Sequence, residues 1–188
     1  MRLHFFNPVA VLPLVEIVRT PHTTDEQLAT AWDVVAKLRK RGVVVADAPG
    51  FVVNRVLTRM TCVLRDALAS GNTVDETDDA ILSLGLPMAP SVLLQLVGED
   101  VVQHVVETMH AAWPDRFSLE PTPGERRSVD RISKDAVEAM RDEVGRLLAD
   151  GVVTVIRLEH RAHFTGVEQF DSSPRERATI ALQIGHPG

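Results

Sequence analysis

The stretch HFFNPVAVLPLVE, from His4 to Glu16, sets one imidazole and one carboxylate at the ends of an otherwise uncharged, apolar segment. Those two residue types can form an acid–base pair. An imidazole changes charge near neutral pH and suits a general base, and a carboxylate accepting its other ring N–H fixes the tautomer and stabilises the imidazolium. A third polar residue, Asn54, follows Pro49-Gly50 in the first turn of a helical pattern, where backbone N–H groups and the helix dipole favour negative charge. Spacing alone decides little: a His and a Glu twelve residues apart are unrelated in most chains, and Asn7-Pro8 is a common turn dipeptide. His160 and His163 make an H-x-x-H pair that one helix face could present to a metal. No third ligand stands at a suggestive spacing, so no metal site is assigned.

The elements that must position these residues can be read along the chain. LHFF and LVEIV read as strands joined through the Asn7-Pro8 bend, with Pro13 shortening the second. TTDEQLATAWDVVAKLRKRG reads as a helix with Thr23 or Thr24 as N-cap, Asp25 and Glu26 at the positive end of its dipole, basic residues at the other end and Gly42 as its stop. The run from Lys37 to Arg41 reads as a solvated helix end. VVVAD follows as a short buried strand. From Pro49 onward the pattern is helical. Val52, Val56, Met60, Val63 and Ala67 form one stripe, Gly71 ends that helix, TVDETDDAILSLG gives a shorter one, and further helical pattern runs to Pro114. PDRFSLEPTPGERRS has no periodicity and reads as a linker. Ile132, Ala136, Met140, Val144, Leu147 and Leu148 mark a last amphipathic helix ending near Gly151.

Composition bounds the function. With 20 basic and 26 acidic residues the formal net charge is −6, which argues against nucleic-acid binding, since that needs a basic surface to displace counterions. Cys62 lies in an apolar helical pattern and reads as a buried structural thiol in a reducing, cytoplasmic setting. The uncharged stretch from Ala80 to Gly98 approaches bilayer length, but Gly85, Pro87 and Pro90 divide it, so it reads as a buried helix junction and not as a membrane span.

HFFNP, LVEIV, DAPGFVVNR and GLPMAP, in that order, resemble the 3-hydroxyacyl-CoA dehydrogenase family, most closely the dehydrogenase portion of bacterial multifunctional fatty-acid oxidation proteins. The resemblance covers about residues 3 to 120 well and the helix from Val129 to Gly151 more loosely. It implies an NAD-dependent oxidoreductase of β-oxidation that interconverts a 3-hydroxyacyl-CoA and a 3-oxoacyl-CoA. By it His4 is the catalytic base, Glu16 orients the base, Asn54 lies beside the substrate, and Asn7 contacts the bound acyl-CoA. It also implies a homodimer formed through the helical domain.

The family's G-x-G-x-x-G turn, which seats the NAD pyrophosphate on a helix N-terminus, does not occur here, because no two glycines are separated by a single residue. Ala89 and Gln95 replace a glycine and an aspartate usual in the family, and after Gly151 its pattern is lost. The resulting expectation is a mainly α chain. Residues 1–48 are the last strands and helix of a truncated Rossmann domain, and 49–114 are the helical C-terminal domain. A linker at 115–128 and a partial, diverged second helical unit at 129–188 complete it. Such a chain is expected to be incompetent alone and to need a separate NAD-binding chain. The alternative is a non-catalytic helical module acting in dimerisation or partner docking.

Overall fold

Asn7-Pro8 begins the loop that folds β1 (Arg2–Phe5) back against β2 (Leu14–Arg19). The computed structural model describes residues 1–153, which form one three-stranded sheet and six helices. After β2 come α1 (Asp25–Lys37), β3 (Arg41–Ala46), α2 (Val53–Ala69), α3 (Val74–Leu82), α4 (Pro90–Val97), α5 (Glu99–Ala112) and α6 (Val129–Ala149). The sheet order is β1-β2-β3; the first pair is antiparallel, and the second is parallel across the α1 crossover. The architecture is the expected one, a short α/β segment followed by helices alone. His160 and His163 lie outside the described residues, as does most of the segment after α6.

Side-chain alternation gives the sheet two distinct faces. Leu3, Phe5, Val15, Ile17 and Val44 pack on Leu28, Ala31, Trp32 and Val35 of α1. His4 and Glu16, one residue out of phase, therefore point to the opposite face, toward the start of α2. Helix α1 begins at Thr24, whose hydroxyl accepts from Gln27 N–H while the Gln27 side chain accepts from Thr24 N–H. Its end departs from the sequence reading. Arg39, with φ 55°, takes the left-handed turn expected of Gly42, and Gly42 is instead a β3 residue. A Cβ there would come 2.5 Å from the Trp32 ring, so this glycine serves close packing and not helix termination. Nor is the basic run wholly solvated: Lys40 Nζ donates to the carbonyls of Val9 and Leu12, at 2.6 and 2.7 Å, and ties down the β1–β2 loop.

The second core joins Met60, Leu64 and Ala67 of α2 to Ala80 and Ile81 of α3 and to Ile132 and Ala136 of α6. Helix α2 is covered on more than the stripe read from its sequence. Arg55, Thr58 and Cys62 are buried with Met60 and Ala67, whereas Val52, Val56 and Val63 are only half-buried. Burial pushes the Cys62 thiol above its ordinary value. The stretch expected as a linker has no helix or strand but is held along α2. Phe117 is buried, Arg59 and Arg65 donate to the carbonyls of Arg116, Ser118 and Leu119, and Asp66 and Ser70 accept from the N–H groups of Thr122 and Gly124. Past α6, Ala46 N–H donates to Val152 carbonyl at 2.8 Å and Val153 bridges Val45, so the helical unit is stitched to the free edge of β3.

The Ala80–Gly98 region is a helix junction, but not a buried one. Pro90 opens α4 and Gly98, at φ 92°, closes it, and α4 has no buried residue. Val92, Leu94, Leu96 and Val97 are all exposed. No helix among the described residues is long and apolar enough to cross a membrane.

The least expected core residue is Arg55, which has no exposed surface. Its Nε donates to Glu143 Oε1 at 2.8 Å, and Arg116 donates to both oxygens of the same carboxylate at 2.5 Å. Trp113 lies against both guanidinium groups, with its ring centroid 4.1 Å from Cζ of Arg55 and 5.3 Å from Cζ of Arg116. This cluster links α2, α6 and the turn after α5. Removing its one buried anion leaves Arg116 unpaired and Arg55 with only the half-exposed Asp150 carboxylate, 3.6 Å away. Glu143→Ala is expected to lower unfolding free energy by about 3–5 kcal/mol, read from the chemical-denaturation midpoint. A loss below about 1 kcal/mol would show that the pair is not integral to the fold.

Candidate active site

Register brings His4 and Glu16 together. Along the β1–β2 pair Arg2 faces Val18, Leu3 faces Ile17, His4 faces Glu16 and Phe5 faces Val15. Directly opposed residues on one face of an antiparallel pair stand close enough for their side chains to meet. His4 Nδ1 lies 2.8 Å from Glu16 Oε2. A carboxylate in its ionised form only accepts, so with a neutral ring this contact assigns the proton to Nδ1 and leaves the lone pair on Nε2. Glu16 has no exposed surface, while the His4 side chain keeps 33% of its own. The carboxylate is thus interior and the imidazole reaches the surface, the arrangement a base needs if it is to meet a substrate.

Glu16 also does what the sequence did not reveal. Its other oxygen, Oε1, accepts from the N–H groups of Val52 and Val53, both at 3.0 Å. These are two of the orphan donors at the N-terminus of α2. The expectation that this helix start is free to stabilise negative charge on a substrate is therefore corrected for these two groups, which are already engaged by Glu16. No side chain of α2 itself provides a cap, because the N-cap position is Val52.

Two aromatic rings border the imidazole, neither of them assigned from the sequence. The Phe6 ring centroid is 4.8 Å from that of His4 in an edge arrangement, and the Phe51 centroid is 5.4 Å away and tilted by 56°. The doubled phenylalanine of HFF and the residue after Pro49-Gly50 were the available signals. Asn54 is the second residue of α2 and half-buried. It follows directly on the two residues bound to Glu16, and among the described residues its side chain makes no hydrogen bond to His4 or Glu16. Asn7 lies exposed in the turn after β1, and no hydrogen bond joins its side chain to the pair. The structure thus brings His4 and Glu16 into contact, sets Asn54 one residue beyond the groups that hold Glu16, and leaves Asn7 at the surface.

The β2–α1–β3 crossover is where a dinucleotide turn could be sought, and its residues do not fit one. The connection Thr20-Pro21-His22-Thr23-Thr24 has no glycine. Thr24 already caps α1, and the first turn of α1 carries Asp25 and Glu26, which would repel a pyrophosphate. Among the described residues no group of three or more His, Cys, Asp or Glu side chains could hold a metal ion.

Comparison with known proteins gives a consistent answer. The family profile for 3-hydroxyacyl-CoA dehydrogenase, NAD binding domain, matches residues 1–48, and that for 3-hydroxyacyl-CoA dehydrogenase, C-terminal domain, matches 50–135. The chain is similar to the fatty acid oxidation complex subunit alpha of Acinetobacter baylyi, 34% identical over 143 residues, covering 76% of this chain but 19% of that protein. Among solved structures it resembles FadB2 of M. tuberculosis, with a TM-score of 0.56 and 37% identity over 64% of this chain and 43% of that one. A 3-hydroxybutyryl-CoA dehydrogenase from Escherichia coli K12 matches with a TM-score of 0.56 and 27% identity, over 89% of this chain and 34% of that one. The chain therefore spans about a fifth of the length of the first relative and less than half of either solved structure.

The carboxylate geometry makes a local prediction. Glu16→Ala takes the acceptor from two N–H groups and from His4 at once. Amide hydrogen exchange at Val52 and Val53 is expected to accelerate at least tenfold, while amides in the middle of α2 keep their protection. Unchanged exchange at both positions would show that Glu16 does not cap α2.

Proposed function

The chain belongs to the 3-hydroxyacyl-CoA dehydrogenase family, and we propose that it carries the proton-transfer half of that family's reaction, in which a 3-hydroxyacyl-CoA and a 3-oxoacyl-CoA are interconverted in fatty-acid β-oxidation. The observation that supports this reading best is the 2.8 Å contact between His4 Nδ1 and a fully buried Glu16. In the oxidative direction His4 Nε2 takes the proton of the 3-hydroxyl. The positive charge that develops on the ring is stabilised through Nδ1–H by the Glu16 carboxylate, whose own position is fixed by Val52 and Val53. Asn54, at the start of the helix those residues open, donates its amide to the substrate oxygen, and Asn7 contacts the acyl-CoA. The family's nicotinamide cofactor would supply the hydride acceptor for this oxidation. The described residues provide no turn for its pyrophosphate, so its site belongs to other residues, on the same polypeptide or on a separate NAD-binding chain. One buried, unpaired cysteine supports a cytoplasmic setting.

The test requires a nucleotide-binding segment, supplied by joining the chain in register to the part of a relative's NAD-binding domain that precedes the matched residues. In that protein His4→Ala is expected to lower kcat about 10²–10⁴-fold, with acyl-CoA binding retained. Glu16→Gln, which keeps the shape but removes the charge that stabilises imidazolium, should lower kcat as well. Near wild-type rates in both variants would make His4 and Glu16 structural residues.

One observation favours an association role beside catalysis. Helix α4 has no buried residue, although Val92, Leu94, Leu96 and Val97 make it strongly apolar. The reading is that the helical region forms a homodimer through this face. Sedimentation at about 50 µM is expected to give a dimer, and Leu96→Glu to return it to monomer; a strict monomer at that concentration would exclude the reading.

A further inference from the structure

Phe51 has φ 46°, a left-handed backbone conformation that a bulky aromatic residue rarely adopts. Such outliers persist where the surrounding structure over-determines them, and they cluster where geometry matters to function. Three observations meet at this residue. Its ring lies 5.4 Å from the His4 ring, which the Phe6 ring approaches to 4.8 Å. The next two residues, Val52 and Val53, donate their N–H groups to Glu16 Oε1. The preceding residue, Gly50, is also left-handed at φ 67°, and a Cβ there would fall 1.7 Å from Met109 Cε, so α5 presses the turn from behind. The consecutive left-handed residues redirect the chain from the end of β3 so that α2 starts with its N–H groups aimed at the sheet. One residue thus touches both members of the acid–base pair, the imidazole through its ring and the carboxylate through the backbone that follows it.

We propose that Phe51 is a positioning residue for the His4–Glu16 pair. Its ring seats the imidazole with Nδ1 on Glu16 and Nε2 outward, and its left-handed backbone delivers the Val52 and Val53 N–H groups to the same carboxylate. The proposal rests on the acid–base reading of His4 and Glu16. It predicts that the ring and the backbone contribute separately. A leucine at position 51 keeps the strained backbone and loses the aromatic wall. Glycine loses the wall but adopts the same backbone without strain. Tyrosine keeps both.

The test uses the 188-residue chain and needs no turnover. Long-range proton–nitrogen correlation spectra of His4 are recorded at pH 8 for the wild type, Phe51→Leu, Phe51→Gly and Phe51→Tyr, with thermal melts and the backbone amide shifts of Val52 and Val53 alongside. The wild type and Phe51→Tyr are expected to show one tautomer with the proton on Nδ1. Phe51→Leu and Phe51→Gly are expected to show the two ring-nitrogen shifts drawn together by tautomer exchange. In Phe51→Gly the Val52 and Val53 amides should keep their wild-type shifts, because the backbone there is preserved. A single Nδ1–H tautomer retained in both the leucine and glycine variants would overturn the proposal. Averaged nitrogen shifts already present in the wild type would overturn the acid–base reading itself, and the proposal with it. Glycine serves as the second variant should leucine fail to fold, since it removes the ring without a backbone penalty.

Discussion

Everything near the site depends on how one buried carboxylate is satisfied. Taking a glutamate out of water costs several kcal/mol unless hydrogen bonds replace its hydration. Glu16 receives three, one from His4 Nδ1 and two from the N–H groups of Val52 and Val53. The first comes from β1, the other two from the start of α2, and the acceptor itself is on β2. The carboxylate is therefore a joint between the sheet and the first helix of the helical unit. Its bond to the imidazole cannot be adjusted without shifting that joint, which is why the imidazole has a defined orientation although it reaches the surface.

Helix α2 is fixed at its start by a second buried glutamate. Three residues past Val52, Arg55 pairs with Glu143 of α6, with Asp150, Arg116 and Trp113 also around it. The first turn of α2 is thus held by Glu16 through its backbone and by Glu143 through a side chain. Asn54 stands between these two anchors and among the described residues spends its side chain on neither. A group whose place is set by its neighbours, and whose own donors remain uncommitted, is what a substrate oxygen can use. The buried ion cluster, far from the imidazole in sequence, bears on the site in this sense: it holds the first turn of the helix that carries Asn54.

The sequence made the hairpin and its polar pair legible because both follow short-range rules. Asn7-Pro8 and Pro13 bracket the loop, the flanking segments have strand composition, and residues equidistant from the turn face each other, which places His4 against Glu16. Helix α1 was legible from its cap and its charges. What escaped were features set by long-range packing. A charged residue in a helical pattern reads as a surface residue, so nothing local showed that Arg55 is interior; that depends on Glu143, 88 positions later. Gly42 read as a helix stop because glycine commonly ends helices, but its role comes from the bulk of Trp32 against it. The apolar α4 read as buried because hydrophobicity predicts burial, yet α3 and α5, which it packs against, leave Val92, Leu94, Leu96 and Val97 exposed. In each case residue type was read correctly and the partner, not the residue, decided the outcome.

The boundary between the two family profiles, between residues 48 and 50, falls close to the site rather than away from it. His4 and Glu16 lie in the part matched to the NAD binding domain, Asn54 in the part matched to the C-terminal domain. The two helix N-termini on either side of that boundary show how an imidazole–carboxylate pair is assembled among described residues that form no dinucleotide turn. The N-terminus of α1, which follows a strand as a dinucleotide site would require, is closed by Thr24 and Gln27 and carries Asp25 and Glu26. At the N-terminus of α2 the Val52 and Val53 N–H groups are taken by Glu16. Pyrophosphate recognition depends on a local glycine turn with open N–H groups, and neither helix start offers one. The His4–Glu16 contact depends instead on strand register and on a helix start that binds a carboxylate from within the protein. The donors that would attract an external anion are used to hold an internal one, and that use gives His4 its fixed partner.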